Sequence, residues 1–475
     1  MAGGFAGRLR RTLGCPSVAH PLARSLDREI WRLALPAFLA LVAEPLFLLA
    51  DAAIVGHLGT AALAGLGIAA IVLQTLVGLC VFLAYGTTAS VARLLGAGDR
   101  RAALAQGIDG VWLAIGLGVL ITLVGVATTG PLVRLLGAGP EVAEPATTYL
   151  RIAFLGVTPL LVMLATTGIL RGLQDTRTPL VVAVAGNALN IVLNLLLVYG
   201  ISVGGVGVDG LGIAGSALGS VLAQLASAAA LLAVVVRGAR REGAGLRPDR
   251  PGIRRAAHAS VALVIRTLTL RVALLLTTYA VVLGADASSG DDQSVSVATH
   301  QLAFTIWSFL AFGLDAIAIA AQAITGRYLG AGDRPGTRAV TGRMVWWGAV
   351  SGVATGVALA AVSPFLGPLF TSDPEVQALL VPVLLVAAAG QPIAGVVFVL
   401  DGVLIGAGDG TYLAWAGLAV LAVYAPVVLL VGGLGGGVVA VWATLSALLM
   451  GARFVVLTVR ARGDAWLVTG TTAHR

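Results

Sequence analysis

Apolar residues run through the chain in long blocks. Twelve of them meet the length of about twenty residues that a helix needs to cross a hydrocarbon core of about 30 Å. In order they cover 30–55, 61–88, 104–128, 148–170, 179–200, 211–236, 258–284, 295–322, 340–363, 375–405, 411–431 and 435–459. Several exceed the minimum, which predicts tilt, extension beyond the membrane or a break. Pro36 and Pro45 fall inside the first block, where a missing N–H frees backbone carbonyls and predicts a bend.

The polar segments between the blocks test the count, because Arg collects in alternate loops only when spans are numbered correctly. Of the 30 basic residues, 26 fall on one side. They are Arg8, Arg10, Arg11, Arg24, Arg28 and Arg32, then Arg93, Arg100 and Arg101, then Arg171 and Arg177, seven from Arg237 to Arg255, four from Arg327 to Arg343, and four from Arg453 onward. The opposite loops hold Arg134 and Arg151 with Glu141, Glu144, Asp209, Asp286, Asp291, Asp292, Asp373 and Glu375. Both termini are therefore expected in the cytoplasm.

Three blocks recur at one offset of 234 residues. Arg93-Leu-Leu-Gly-Ala-Gly-Asp-Arg100 matches Arg327-Tyr-Leu-Gly-Ala-Gly-Asp-Arg334, and Pro140-Glu-Val142 matches Pro374-Glu-Val376. Gly168, Leu170, Gly172 and Asp175 match Gly402, Leu404, Gly406 and Asp409. An offset of six spans preserves topology, so the halves are parallel repeats related by an axis along the membrane normal. The expected fold is an all-α integral membrane protein of twelve transmembrane helices in two parallel six-helix repeats. Its parts are a cytoplasmic tail at 1–29, an N-lobe at 30–236, an Arg-rich linker at 237–257, a C-lobe at 258–460 and a tail at 461–475.

Composition agrees: 58% hydrophobic and 11% charged residues, with a mean hydropathy of +0.98, make the bilayer the natural solvent. The net charge of +8 comes from Arg alone, with no Lys, and its distribution over alternate loops argues against a nucleic-acid surface. Exclusive use of Arg points to a GC-rich bacterial genome. Cys15 and Cys80 fit no metal spacing and are read as free thiols. Residues 1–28 hold no long apolar stretch, so no cleaved signal peptide is expected and the first helix serves as the membrane signal.

A charge idle in a bilayer costs about 2.5 to 3.5 kcal/mol, so intramembrane polar residues are the functional candidates. Asp51 lies about twenty residues into the first span; its plain alternative is a solvated carboxylate at the outer helix end near Gly56 to Gly59. Glu44 lies seven residues earlier on the same face, a coupling acid or a hydrogen bond at the Pro45 bend. Asn187, Asn190 and Asn194 share one face of the fifth span, where amides coordinate an ion or orient a carboxyl without titrating, or simply join helices. In the second half, Asp315, Asp401 and Arg271 have as offset counterparts Val81, Thr167 and an apolar part of the first span, so the lobes differ chemically. They read as a structural Arg–carboxylate pair or, for Asp401, as a gating or substrate contact. His300 is expected to make a packing hydrogen bond beside Gln301, itself a candidate substrate contact.

Gly205 to Gly210 and Gly210 to Gly215 each satisfy G-x-G-x-x-G, but neither follows a strand of a βαβ unit, so a dinucleotide cofactor is not expected. The repeated Leu-Gly-Ala-Gly-Asp blocks lack a following Lys and read as helix C-caps. No nucleophile, base and orienter come together in the pattern, so the chain is not read as an enzyme.

Several segments resemble the multidrug and toxic compound extrusion (MATE) family and its DNA-damage-inducible F (DinF) branch. They are Leu35-Pro36, Ala43-Glu-Pro-Leu-Phe-Leu-Leu-Ala-Asp-Ala-Ala-Ile-Val-Gly-His-Leu-Gly59, Arg171-Gly-Leu-Gln-Asp-Thr-Arg-Thr-Pro179, His300-Gln301, Ala320 to Asp333 and Asp401-Gly-Val-Leu-Ile-Gly406. The similarity covers nearly the whole chain. The resemblance implies efflux of organic, often cationic or amphipathic, compounds in exchange for H+ or Na+. It implies that Asp51 is the coupling site, with Asn190 and Asn194 on the same cavity. Many relatives carry Asp where this chain has Asn194, which leaves Asp51 as the main acid and favours H+ over Na+. Where another branch places a sodium-binding Glu in the seventh helix, the nearest residue is Arg271, which repels a cation.

The expected protein is thus a monomeric, multi-pass, proton-coupled exporter of the bacterial plasma membrane. It has no cofactor beyond its coupling ion, and its partners are the bilayer and a small organic substrate. The alternatives are Na+ coupling at Asp51 and Asn190, a flippase for lipid-linked saccharides, and a channel or scaffold that moves nothing uphill.

Overall fold

The computed structural model describes residues 20–203, 206–286 and 290–471. Cys15, Arg8, Arg10, Arg11 and Gly205 lie outside the described residues, as do the side chains of Asp286, Asp291 and Asp292. All twelve expected spans are present as eleven apolar helices plus one pair bent by 46°. Within the bilayer a backbone must satisfy its own hydrogen bonds, and helices this apolar do so.

The first half comprises α1 (His20–Gly56), α2 (Thr60–Cys80) and α3 (Phe82–Gly96) as one span, and α4 (Arg100–Leu135). The bent pair α5 (Pro140–Leu155) and α6 (Val157–Gly172) follows, then α7 (Arg177–Tyr199) and α8 (Ile213–Arg241). The second half comprises α9 (Arg250–Asp286), α10 (Gly290–Gly330), α11 (Arg334–Phe370), α12 (Pro374–Gly406) and α13 (Gly410–Gly433). Its last span is α14 (Gly437–Thr444), a π-turn at Leu445–Leu449, and α15 (Met450–Arg462).

One short departure from an all-helical chain lies between α7 and α8. Strands β1 (Gly200–Val203) and β2 (Val206–Asp209) pair antiparallel, Gly200 against Asp209 and Ile201 against Val208. This hairpin contains part of the glycine-rich stretch. An antiparallel hairpin is not half of a βαβ unit, the setting that a dinucleotide fingerprint needs.

The chain divides into two compact units, and the division differs from the lobe limits the repeat predicts. One unit takes Leu39–Ser260, the other the start of α1 up to Phe38 together with Val261 onward. The Arg-rich linker goes with the first of these because Asp249 N–H donates to Asp109 Oδ1 (3.1 Å) and Trp112 Nε1 to the Leu246 carbonyl (3.0 Å). The N-terminal end of α1 goes with the other because its carboxylates find their partners there. Asp27 accepts from Arg343 Nε and Nη2, both at 2.5 Å, and from Trp347 Nε1 at 2.7 Å. Glu29 pairs with Arg327, and Trp31 meets Trp347 edge to face at 5.0 Å.

The repeated glycines explain themselves in packing. A Cβ on Gly168 would strike the Ala84 backbone, and one on Gly402 would strike Ala318, 234 residues further on. Gly172 likewise meets the Thr88 backbone and Gly406 that of Gln322, again at the repeat offset. Each half thus brings its fourth span against its second through a Gly-x-x-x-Gly face, where small residues let membrane helices approach closely. The segment after α15 is packed rather than trailing. Trp466 is fully buried, and the Arg338 guanidinium gathers the carbonyls of Ala461, Arg462 and Gly463 with the Asp464 carboxylate.

Candidate functional site

The unit Leu39–Ser260 holds a polar cluster built by four helices. Asp51, five residues before the end of α1, is 3% exposed and accepts three hydrogen bonds. They come from Asn194 Nδ2 (2.8 Å), Ser216 Oγ (2.6 Å) and Tyr149 Oη (3.2 Å). Asn194 Nδ2 is also 3.1 Å from Asn190 Oδ1, and Asn190 Nδ2 donates to Ser220 Oγ at 3.0 Å. Two i, i+4 ladders therefore face each other, Asn190 and Asn194 on α7 against Ser216 and Ser220 on α8, with Asp51 and Tyr149 closing the ring. Local sequence makes this fit: a side chain on Gly219 would overlap Asn194 Oδ1, and one on Gly186 would overlap Ser227 Oγ.

Chemically the ring surrounds a lone carboxylate with neutral groups that donate. Hydroxyls also accept, so Tyr149 and Ser216 serve either protonation state of Asp51, whereas an amide nitrogen only donates. Asn194 Oδ1 is buried without a hydrogen-bond partner, a spare acceptor beside the acid.

The other candidates are placed differently. Glu44 is exposed on α1 and does not join the ring. Asn187 donates to the Ala43 carbonyl at 2.8 Å, fastening α7 to α1 beside the Pro45 position. Gln301 is exposed and Asp315 is half-buried, both on α10. His300 accepts from Trp442 Nε1 (3.2 Å) through Nδ1 and lies 3.0 Å from Thr278 Oγ1, a packing role.

Asp401 does sit in an Arg–carboxylate cluster, but not with Arg271, which is exposed on α9. Its partners are Arg266 and Arg453. Arg266 and Arg271 are five residues apart, which sets them about 140° apart around a helix, so one cannot stand in for the other. Arg453 was expected among the loop arginines, yet it lies inside α15 with its side chain 13% exposed. Sequence reasoning also passed over Tyr149, Ser216 and Ser220, since isolated hydroxyls are ordinary in membrane helices. Their one available signal was the i, i+4 pairing of the two serines opposite the paired asparagines.

A family profile described as MatE matches residues 36–196 and 272–431. The chain belongs to the MatE family. The two matched blocks begin at 36 and 272 and end at 196 and 431, which reproduces the 234-residue repeat to within two residues. The MatE chain is 31% identical over 422 residues to Protein DETOXIFICATION 44, chloroplastic, of Arabidopsis thaliana, covering 82% of this chain and 74% of that one. It is 30% identical over 310 residues to the DNA damage-inducible protein F of Escherichia coli K12, covering 65% of each. In fold it is similar to a Vibrio cholerae MATE transporter in the bent form, with a TM-score of 0.80, 19% identity, and coverage of 93% of this chain and 98% of that one. MatE proteins are multi-pass membrane transporters of the multidrug and toxin efflux class.

Proposed function

We propose that this MatE chain exports organic cationic or amphipathic compounds across a bacterial plasma membrane by antiport with H+. It works as a monomer, with both termini in the cytoplasm. The observation that carries the reading is Asp51, a buried carboxylate enclosed by Asn194, Ser216 and Tyr149 and, among the described residues, not paired with a basic side chain.

A proton arriving on Asp51 Oδ2 turns that oxygen into a donor. Tyr149, the donor to the same oxygen, must then accept, and its O–H turns to donate a hydrogen bond to Ser216 or Ser220, both within its reach, with no proton leaving the phenol. Asn194 and Ser216 keep Oδ1, so the change is confined to the Tyr149 side, where α5 meets α1. Protonation thereby reorders contacts between helices of one unit, the kind of local change that switches a bistable packing. One proton moving down about 100 mV supplies about 2.3 kcal/mol, enough for about a fiftyfold gradient at 1.4 kcal/mol per tenfold.

Na+ coupling has one observation in its favour, the spare buried oxygen of Asn194 next to the acid. The absence of a second carboxylate favours H+, since a hard cation gains most from paired anionic oxygens. Proteoliposomes with independently imposed pH and sodium gradients separate the two. A pH gradient alone should drive accumulation of a fluorescent organic cation, and Asp51→Asn should lower that flux at least a hundredfold while substrate still binds. Flux indifferent to the pH gradient and unchanged by Asp51→Asn would sink the reading.

A further inference from the structure

The unit that includes Val261 onward contains a second built site, on helices related to the first by the repeat. A half-open pocket with an empty volume of about 410 Å³, open solvent included, lies among α9, α12, α13 and α15. Its polar end is Arg266, Asp401 and Arg453, and its walls include Leu270, Val420 and Leu421. The Asp51 ring is built by the first, fourth, fifth and sixth spans, and this pocket by the seventh, tenth, eleventh and twelfth. The counterparts differ in sign: two guanidiniums share one carboxylate here, leaving one positive charge in excess.

The two arginines are not equally engaged. Arg266 pairs directly with Asp401 Oδ2, while Arg453 Nη2 approaches the same oxygen only to 3.4 Å. The Arg453 side chain has that ion pair and no hydrogen bond among the described residues. The nearest other acid on these helices, Asp409, is taken by Arg460 at 2.6 and 3.1 Å. The π-turn at Leu445–Leu449 lies just before Arg453 and shifts the helical phase by about 100°. Leu449 and Arg453, one helical turn apart, line the pocket wall together. A bilayer-buried cation is tolerated when an anion meets it. Asp401 brings one negative charge to two guanidiniums, Arg266 directly and Arg453 at 3.4 Å, so one positive charge is left for an anion from outside the chain.

We infer that this pocket binds an amphipathic anion, with a carboxylate or phosphate head on Arg453 and an alkyl body along Leu270, Val420 and Leu421. Asp401 lies five residues from the end of α12 on the arginine-rich side, where basic pockets between helices take anionic lipid heads. The same chemistry is offered by an anionic phospholipid and by a free alkyl carboxylate. This site is independent of proton coupling at Asp51.

The test is an equilibrium titration of the full chain in phosphatidylcholine nanodiscs, read as the thermal unfolding midpoint. It needs no gradient, so its failure leaves the exporter reading untouched. Decanoate and decyl phosphate should raise the midpoint saturably, while decyltrimethylammonium and decanol should not. Arg453→Gln should weaken decanoate at least tenfold, and Arg266 still neutralises Asp401 in that variant. Leu421→Trp, which fills the apolar wall away from the charges, should weaken it similarly even if Arg453→Gln fails to fold. Exchanging part of the lipid for phosphatidylglycerol names the source. Loss of the decanoate response assigns a lipid head as occupant, and a retained response assigns a free amphipath. An equal response to the cation or the alcohol overturns the proposal, as does unchanged decanoate affinity in the folded variants.

Discussion

Gln174 is the one described non-glycine residue with a positive φ, at 66°. It occupies the turn position that Gly98, Gly332 and Gly408 fill elsewhere with φ of 82°, 79° and 73°. A left-handed backbone costs a residue with a Cβ about 1 to 2 kcal/mol. Gln174 also has interactions of its own, so the fair comparison removes them in both variants. Gln174→Gly should exceed Gln174→Ala in stability by about 1 kcal/mol, read from thermal midpoints of the purified protein. The same scale shows what was legible in the candidate site. Asp51, Asn190 and Asn194 stood out because each interrupts an apolar face, and the structure brings all three together. Arg453 did not stand out, since the arginines that follow it made it look like part of a loop. The missing clue was its depth: apolar residues flank it for a full turn on both sides.

Among elements, four helix junctions use one device. The N–H groups of Asp99, Asp175, Asp333 and Asp409 reach back to the carbonyls of Leu94, Leu170, Tyr328 and Leu404 at 2.8 to 3.1 Å. Asp99 and Asp333 then cap the next helix, accepting from Ala102 and Gly336 N–H. Gly-Ala-Gly-Asp therefore ends one span and starts another in the space of four residues, which is why these blocks survive in the repeat. The spans themselves were readable from hydropathy to within several residues. The 46° bend between α5 and α6 was not, because it falls at Gly156 inside a continuous apolar block. The N-terminal end of α1 carries the strongest prediction at this level. Asp27→Ala leaves Arg343 and Trp347 without their acceptor and should cost about 2 kcal/mol, lowering the thermal midpoint. Exchanging the charges, Asp27→Arg with Arg343→Asp, should recover part of the loss.

For the molecule as a whole, the internal repeat was visible as a fixed offset, and the family profile falls into the same two blocks. The partition of α1 was invisible, because hydropathy reports that a segment is buried and not which neighbour buries it. Asp27 and Glu29 looked like a solvated tail until their arginines appeared. The proposed orientation has its own check. With Cys80 buried and Cys15 replaced by Ser, a Cys at Ala138 should react with an impermeant maleimide on intact cells, whereas one at Gly245 should react only after permeabilisation. The reverse pattern would invert the topology.

The partnership of Asp27 with Arg343 spans 316 positions of chain. At translation rates of about 5 to 20 residues per second, the opening helix waits roughly 15 to 60 s for its partner to be synthesised. During that interval Asp27 and Glu29 are without the Arg343 and Arg327 that meet them in the finished fold, which marks the first half as unfinished. A protein truncated after α8 would stay in that state for good, an obvious target for the proteases that police the bilayer.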